Sequence, residues 1–304
     1  MAPTFAEATA VKPQGSHTYT ADFHTEWCIG SVPHGGVVTS VLLRVAATHF
    51  NNTLAKLNQP HTIALHSEFL RRTQEGPATI QVRDVKLGRM ASTIHVTLTQ
   101  DGREEVAAYI TNSNLEKESG VSYATGWSLE PPPPPVDLPR LSAEGSDANW
   151  VEFTDLPYPK LRKATNRVHM HLPRNGQVRP NLIDEWMRLE SGQKFTNESI
   201  GFVADMWPQM IEGLEGRQKV TGTQPWMWFP TLLLNLDIKK ALPPGGAEWL
   251  FVRVQSKQIR NGRYDYEVVV RDEAGELVAL SHHIALVVDG RRNTAKRITG
   301  QSKI

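Results

Sequence analysis

The chain repeats itself. Pro60-His-Thr-Ile-Ala-Leu-His-Ser-Glu-Phe69 lies against Phe229-Pro-Thr-Leu-Leu-Leu-Asn-Leu-Asp-Ile238, with Thr62 on Thr231. Further on, Gln100-Asp-Gly-Arg-Glu-Glu-Val-Ala107 lies against Arg271-Asp-Glu-Ala-Gly-Glu-Leu-Val-Ala279. Self-similarity on this scale means two copies of one supersecondary unit packed together. Whatever architecture one copy adopts, the other shares. Two sheets of one kind can also pair edge to edge and leave fewer exposed edges.

Within a copy the order reads strand, helix, four strands. His17 to Asp22 alternates loosely, and Val38, Val41, Leu42, Val45, Ala46 and His49 then recur at helical spacing. Strand-like runs follow at 62–70, 78–86, 92–99 and 106–111, the last two joined by the turn Asp101-Gly102. The second copy has runs at 168–172 and 183–189, a helix, and runs at 231–239, 248–257, 263–271 and 277–288. A helix with antiparallel strands around it is an α+β pattern. The domain division expected is 1–115, a linker over 116–166, and 167–304. The linker holds Pro131 to Pro135, and consecutive prolines favour extended polyproline geometry over the surface.

The helix of the second copy is expected over 198–214. Ile200, Val203, Trp207, Met210 or Ile211, and Leu214 make its stripe. Phe202, Ala204 and Met206 make its middle apolar almost all round, which predicts burial. Asp205 breaks the pattern. A buried carboxylate must be paired, protonated or working. The plain reading is a hydrogen-bonded structural acid or a helix end, since Pro208 can kink or stop the helix. In the first copy, Gly35-Gly36 before the helix either exposes backbone N–H groups at its positive end or allows close packing there.

Composition narrows the function. With 39% hydrophobic and 21% charged residues, the 304-residue chain reads as an ordinary globular protein. A net charge of +1 without long charged blocks argues against nucleic acid and against a polybasic membrane patch. No run of about 18 apolar residues predicts a membrane span, and residues 1–14 lack a secretory pattern. Cys28 is the single cysteine, which excludes an internal disulfide and fits a reducing compartment. Neither CxxC nor HExxH spacing occurs, so no metal site and no bound cofactor are expected.

Four stretches together carry a family resemblance: Trp27-x-Ile-Gly-x-x-Pro-His-Gly-Gly36, Leu65-His-Ser-Glu-Phe-Leu-Arg71, Asp184-Glu-Trp-Met-Arg-Leu189 and Gly201-Phe-Val-Ala-Asp205. In this order they resemble the double-hotdog acyl-CoA thioesterases, the bacterial thioesterase II and peroxisomal group with its thioesterase-like relatives. The resemblance implies a double hotdog, two fused repeats each wrapping an antiparallel sheet around a central helix. It implies hydrolysis of an acyl-CoA to a free acid and CoA by an activated water. It places the family's catalytic acid on Asp205 and its threonine on Thr231. The family's glutamine position falls on His283, a departure. A histidine can orient a water or act as a base, and the change can equally mark altered specificity or lost activity. Strand alternation would put Ser281, His283 and Ala285 on one face and His282 on the other.

Gly35 and Gly36 are the candidate oxyanion donors, and His34 beside them is a candidate for the mouth. His66 is a weaker candidate, read more plainly as a satisfied rim histidine. Arg71, Arg72, Gly88, Arg89 and Ser92 are candidates for the pantetheine and nucleotide end, unless 87–90 is an ordinary hairpin turn. Trp207, Trp226, Trp228 and Phe229 line the tunnel or, as the safer default, pack the core. The other readings are an acyl-thioester binder without hydrolysis, and a specialised hydrolase or lyase on the same scaffold. The tail Ser302-Lys303-Ile304 is one change from the Ser-Lys-Leu peroxisomal address, so peroxisome and cytoplasm are both expected locations. Edge pairing would allow a homo-oligomer.

Overall fold

The computed structural model describes residues 2–217 and 226–295, with Ser191 and residues 214–217 described in backbone only. The tail tripeptide and the side chain of Leu214 lie outside the described residues. Thirteen strands carry the architecture: β1 Lys12–Pro13, β2 Thr18–Phe23, β3 His61–Phe69, β4 Gly76–Lys86, β5 Ser92–Gln100, β6 Arg103–Ser113, β7 Trp150–Glu152, β8 Val168–Pro173, β9 Leu182–Leu189, β10 Thr231–Ile238, β11 Leu250–Gln255, β12 Arg263–Arg271 and β13 Leu277–Leu286. With Ile259–Arg260 beside β12 they form one 14-stranded sheet, in the order β1-β2-β4-β5-β6-β3-β10-β13-β12-β11-β9-β8-β7.

The order is nearly a palindrome of equivalent strands. The copies meet where β3 pairs antiparallel with β10, Leu65 opposite Leu236, His66 opposite Asn235 and Ser67 opposite Leu234. His66 and Asn235 are also equivalent in the repeat, so the pseudo-two-fold axis passes between them. Both copies carry a bulge at the equivalent place, between Thr62 and Ala64 and between Thr231 and Leu233. The junction leaves neither β3 nor β10 as an exposed edge. The helix-around-sheet expectation therefore holds, as a double hotdog with a single continuous sheet.

Among the described residues, six α-helices complete the fold: α1 Phe5–Ala8, α2 Gly35–Asn52, α3 Leu138–Glu144, α4 Ile200–Val203, α5 Met210–Arg217 and α6 Arg291–Thr294. α2 buries Val38, Val41, Leu42, Val45 and Ala46 against the sheet. The second copy departs from the single helix expected over 198–214. After one turn, α4 closes with the Ala204 N–H on the Ile200 carbonyl and the Asp205 N–H on the Phe202 carbonyl. The chain then turns and resumes as α5. Trp207 precedes a proline and is pushed out of helical geometry, and Pro208 brings no N–H. Asp205 thus stands beyond a helix end, not on a helix face.

The proline-rich stretch packs over the outer face of the second copy. Leu129, Leu141 and Trp150 form a satellite cluster there with Trp186, Trp249 and Phe251, and β7 extends the sheet edge beside β8.

α2 and α4 cross at their glycines. A Cβ on Gly36 would stand 2.8 Å from the Phe202 Cα, and one on Gly201 would stand 2.8 Å from Thr39 Cγ2 and 3.0 Å from the Ser40 nitrogen. Backbone atoms on the far side cannot yield, so Gly201→Ala should cost about 1–3 kcal/mol in urea unfolding. Gly213 in α5 meets nothing within 4 Å, so Gly213→Ala should be neutral or stabilise by up to about 1 kcal/mol. Equal effects from the two substitutions would contradict the packing account.

Candidate active site

The site begins at the N-terminus of α2. His34 caps it: its Nδ1 accepts from the Gly36 N–H at 3.1 Å, and its carbonyl accepts from Val37 and Val38 at 2.9 and 3.1 Å. The Gly35 N–H is the first-turn donor that this cap does not engage. Across the glycine crossing, the turn after α4 aims Asp205 at this helix end. A Cβ on Gly35 would lie 2.7 Å from Asp205 Oδ2. Both readings of Gly35-Gly36 therefore apply, because close packing is what brings the acid to the helix N-terminus.

Asp205 sits between two histidines. Its Oδ2 is 3.6 Å from His34 Nδ1 and its Oδ1 is 3.6 Å from His283 Nδ1, with the carboxyl 11% exposed. Burial pushes the Asp205 carboxyl up to about 7, against the pull of the Gly36 N–H. Burial pushes His34 down to about 4. It also takes His283 to about 3, with His282 adding and the Ala204 backbone opposing. Both imidazoles are therefore neutral at neutral pH, and neither supplies a cation that would hold the acid ionised.

His283 lies on β13 opposite Leu234 and Tyr266. Ser281, His283 and Ala285 are buried while His282 is exposed, as the alternation predicts. The Ser281 hydroxyl donates to the Asn235 carbonyl at 2.6 Å and stands 2.9 Å from His283 Nε2. The hydroxyl proton is thus committed, so Nε2 carries the imidazole proton and donates to Ser281. Nδ1 then turns a lone pair toward Asp205, and it has no hydrogen-bond partner among the described residues.

A cavity of about 430 Å³ opens in front of the acid. That is within the usual range of small-molecule sites, roughly 300–1,000 Å³. Asp205, Thr231, His34 and Gly35 share its wall. Thr231 gets there through the β10 bulge, a device that re-aims side chains. Its equivalent Thr62 instead donates to the Asn112 side chain at 2.9 Å. His283 is 1% exposed and supports Asp205 from behind, off the cavity wall. Trp207, Trp226, Trp228 and Phe229 all stand on the wall, and Trp207 belongs to the buried core as well, with Phe229 packed against it.

His66 and Arg89 are not brought to this cavity, and Gly36, Gly88 and Ser92 do not line it either. His66 is half-exposed at the junction of the copies, against the Asn235 side chain and 3.7 Å from Glu68. Its place on the axis follows from strand pairing, not chemistry. Arg89 is exposed in the β4–β5 turn. There Ser92 Oγ accepts from the Gly88 N–H at 3.0 Å, and Gln59 donates to the carbonyls of Gly88 and Arg89, which is the ordinary hairpin. Arg71 and Arg72 do reach the wall, where Arg72 donates to the carbonyls of Arg292, Asn293 and Ala295. Sequence reading missed Tyr264, Tyr266 and Arg162, which also line the cavity. The tyrosines alternate inward on β12, a pattern that marks burial but not a pocket.

Comparison with known proteins finds likeness along both copies. Residues 23–113 match the acyl-CoA thioesterase N-terminal domain and residues 134–287 the acyl-CoA thioesterase C-terminal domain. The thioesterase-like protein TwmA of Talaromyces wortmannii is 37% identical, over 98% of this chain and 96% of its own. A hot dog fold protein from Alicyclobacillus acidocaldarius superimposes with a TM-score of 0.74 at 17% identity, over 95% of this chain and 99% of that one. The acyl-CoA thioesterase II TesB2 from Mycobacterium marinum gives 0.66 at 16%, over 94% and 98%. At these identities the structural likeness is one of fold.

The raised acid has a consequence for stability. Its folded value of about 7 lies above the ordinary 3.8. The stabilisation linked to its bound proton is complete below about pH 4 and lost as pH rises through about 7. Asp205→Asn removes this dependence. Chemical denaturation at about pH 8 should find the variant more stable than wild type, with a ceiling of roughly 4 kcal/mol. The gap should close toward about pH 4. A gap that does not depend on pH would mean that the carboxyl titrates normally.

Proposed function

The chain belongs to the acyl-CoA thioesterase family, matching both of its domains, and on that premise we propose that it hydrolyses an acyl-CoA thioester to the free acid and CoA. The observation that carries this reading is the Asp205 carboxyl on the cavity wall, raised to about 7 and facing the N-terminus of α2. A base works best when its pKa lies near the operating pH.

In this reading the acyl group occupies the aromatic-walled cavity, with its thioester carbonyl oxygen toward the Gly35 N–H. The helix N-terminus favours the negative charge that develops there. Thr231 and Asp205 hold a water between them. The water oxygen attacks the carbonyl carbon, and its proton passes to the Asp205 carboxylate. Collapse of the tetrahedral species breaks the C–S bond, and the departing CoA sulfur takes the proton back from Asp205. No covalent enzyme intermediate is required.

His283 acts here through Asp205 rather than on substrate. Its proton is committed to Ser281, so what it offers the acid is a lone pair. That disfavours the ionised carboxylate and keeps the base protonated until near neutral pH. The family's glutamine would offer an amide N–H donor at this place, with the opposite effect.

Free-thiol release from a panel of short, long and branched acyl-CoAs tests the reading. On the preferred member, kcat/KM should rise with pH up to about 7 and then level off. Asp205→Asn should lower kcat by about 10²–10⁴. Retained turnover in that variant would sink the assignment of the base. Acyl-CoA binding without turnover by wild type would favour a non-hydrolytic binder.

His283→Gln should keep turnover and move the acid limb of the pH profile to lower pH, because an amide donor favours the carboxylate. An unmoved limb would remove His283 from the electrostatics of the base.

A further inference from the structure

At the opposite end of α2 a second group of chemistry-bearing residues converges, and the hydrolytic site makes no use of it. His17 leads into β2, His49 lies in the last turn of α2, and Asp84 lies at a bulge in β4, between Asp84 and Lys86. Each Nε2 approaches a different oxygen of one carboxylate: His17 Nε2 is 3.3 Å from Asp84 Oδ2, and His49 Nε2 is 3.0 Å from Asp84 Oδ1. One ligand atom from each residue falls within 4.8 Å of the others.

We propose that His17, His49 and Asp84 form a binding site for a divalent transition-metal cation of the zinc type. Three features of the geometry carry this. Zinc bonds of about 2.0–2.1 Å in tetrahedral geometry place neighbouring donors roughly 3.3 Å apart, close to the spacings between these nitrogens and oxygens. Two imidazoles and a carboxylate are a ligand set for such cations, with a further position left for water. His17 and Asp84, at 41% and 26% exposed, give solvent and ion a way in, while His49 is buried.

The groups behind the ligands add support. A metal-bound imidazole donates its other N–H to an acceptor, which fixes the tautomer. His49 Nδ1 lies 3.1 Å from the Ser16 carbonyl, and His17 Nδ1 lies 2.8 Å from Ser16 Oγ. Tyr19 Oη, 3.0 Å from His49 Nδ1, is a second acceptor there. Protons on Nδ1 leave both Nε2 lone pairs free to join Asp84 in holding a cation. Ser16 is itself held, since its carbonyl accepts from Thr53 Oγ1 at 2.9 Å at the end of α2. The His17 carbonyl accepts from the Val82 N–H at 2.8 Å on β4.

The three ligands come from separate elements, which is why no spacing motif announces them. The site is also remote from Asp205. His49 lies roughly 21 Å along α2 from Gly35, at about 1.5 Å per residue. A cation here would clamp the helix end to the sheet and leave the hydrolytic chemistry alone.

The full-length chain, stripped with a chelator, is titrated with Co²⁺ by visible absorption and with Zn²⁺ by calorimetry and thermal unfolding. One equivalent should bind, with a tetrahedral Co²⁺ spectrum and an unfolding midpoint that rises with Zn²⁺. Removing a ligand should weaken binding at least about ten-fold. His17→Asn is the decisive variant, because His17 is partly exposed and its loss spares the core; His49→Gln and Asp84→Asn are companions. Thiol release by His17→Asn should equal that of wild type. Absence of saturable binding would overturn the proposal and leave a plain histidine–aspartate pair. Binding of equal strength in His17→Asn would also overturn it, by locating the cation elsewhere.

Discussion

The contact on which the rest of the site depends is a backbone-to-backbone crossing. Gly36 at the start of α2 and Gly201 in α4 let the two copies' central helices meet without side chains between them. Any Cβ there would collide with atoms of the opposing helix or with the Asp205 side chain itself. Because the helices touch, the turn after α4 delivers a carboxylate to the positive end of α2. The residue that would normally be excluded from such an interior is held there by geometry, and its cost is met by protonation rather than by a partner cation.

Two neutral histidines complete that environment. One caps α2 with the same nitrogen that faces the acid; the other gives its proton to Ser281 and turns a lone pair forward. Neither is charged near neutral pH, so burial is left to raise the acid to about 7.

The repeat explains how one site arises from two copies. Both carry the same strand bulge, yet Thr62 is tied to Asn112 while Thr231 faces the cavity. The first copy keeps a long helix with a glycine start; the second keeps one helical turn and an acid. Each copy lacks what the other provides, and the axis between His66 and Asn235 sets them in register. The apolar core runs through both copies without a break.

Strand positions and the pairing of copies were legible in the chain because alternation with a period of two, helical spacing and self-similarity are local or nearly local properties. The family likeness and the residue types at 205, 231 and 283 could be read in the same way. Apolar spacing alone would run one helix over 198–214; the stop that Pro208 allows is the reading the structure takes, because a proline biases its preceding neighbour away from helical geometry. Which side of Asp205 faces the cavity, that His283 stands behind it, and that Trp207 serves the core and the cavity wall at once depend on chain segments far apart in sequence. The convergence of His17, His49 and Asp84 is of the same kind. Local periodicity settles which elements form and which face is apolar. Charge, burial and lone-pair direction are settled only when distant elements close on one another, because each depends on how much water the others exclude.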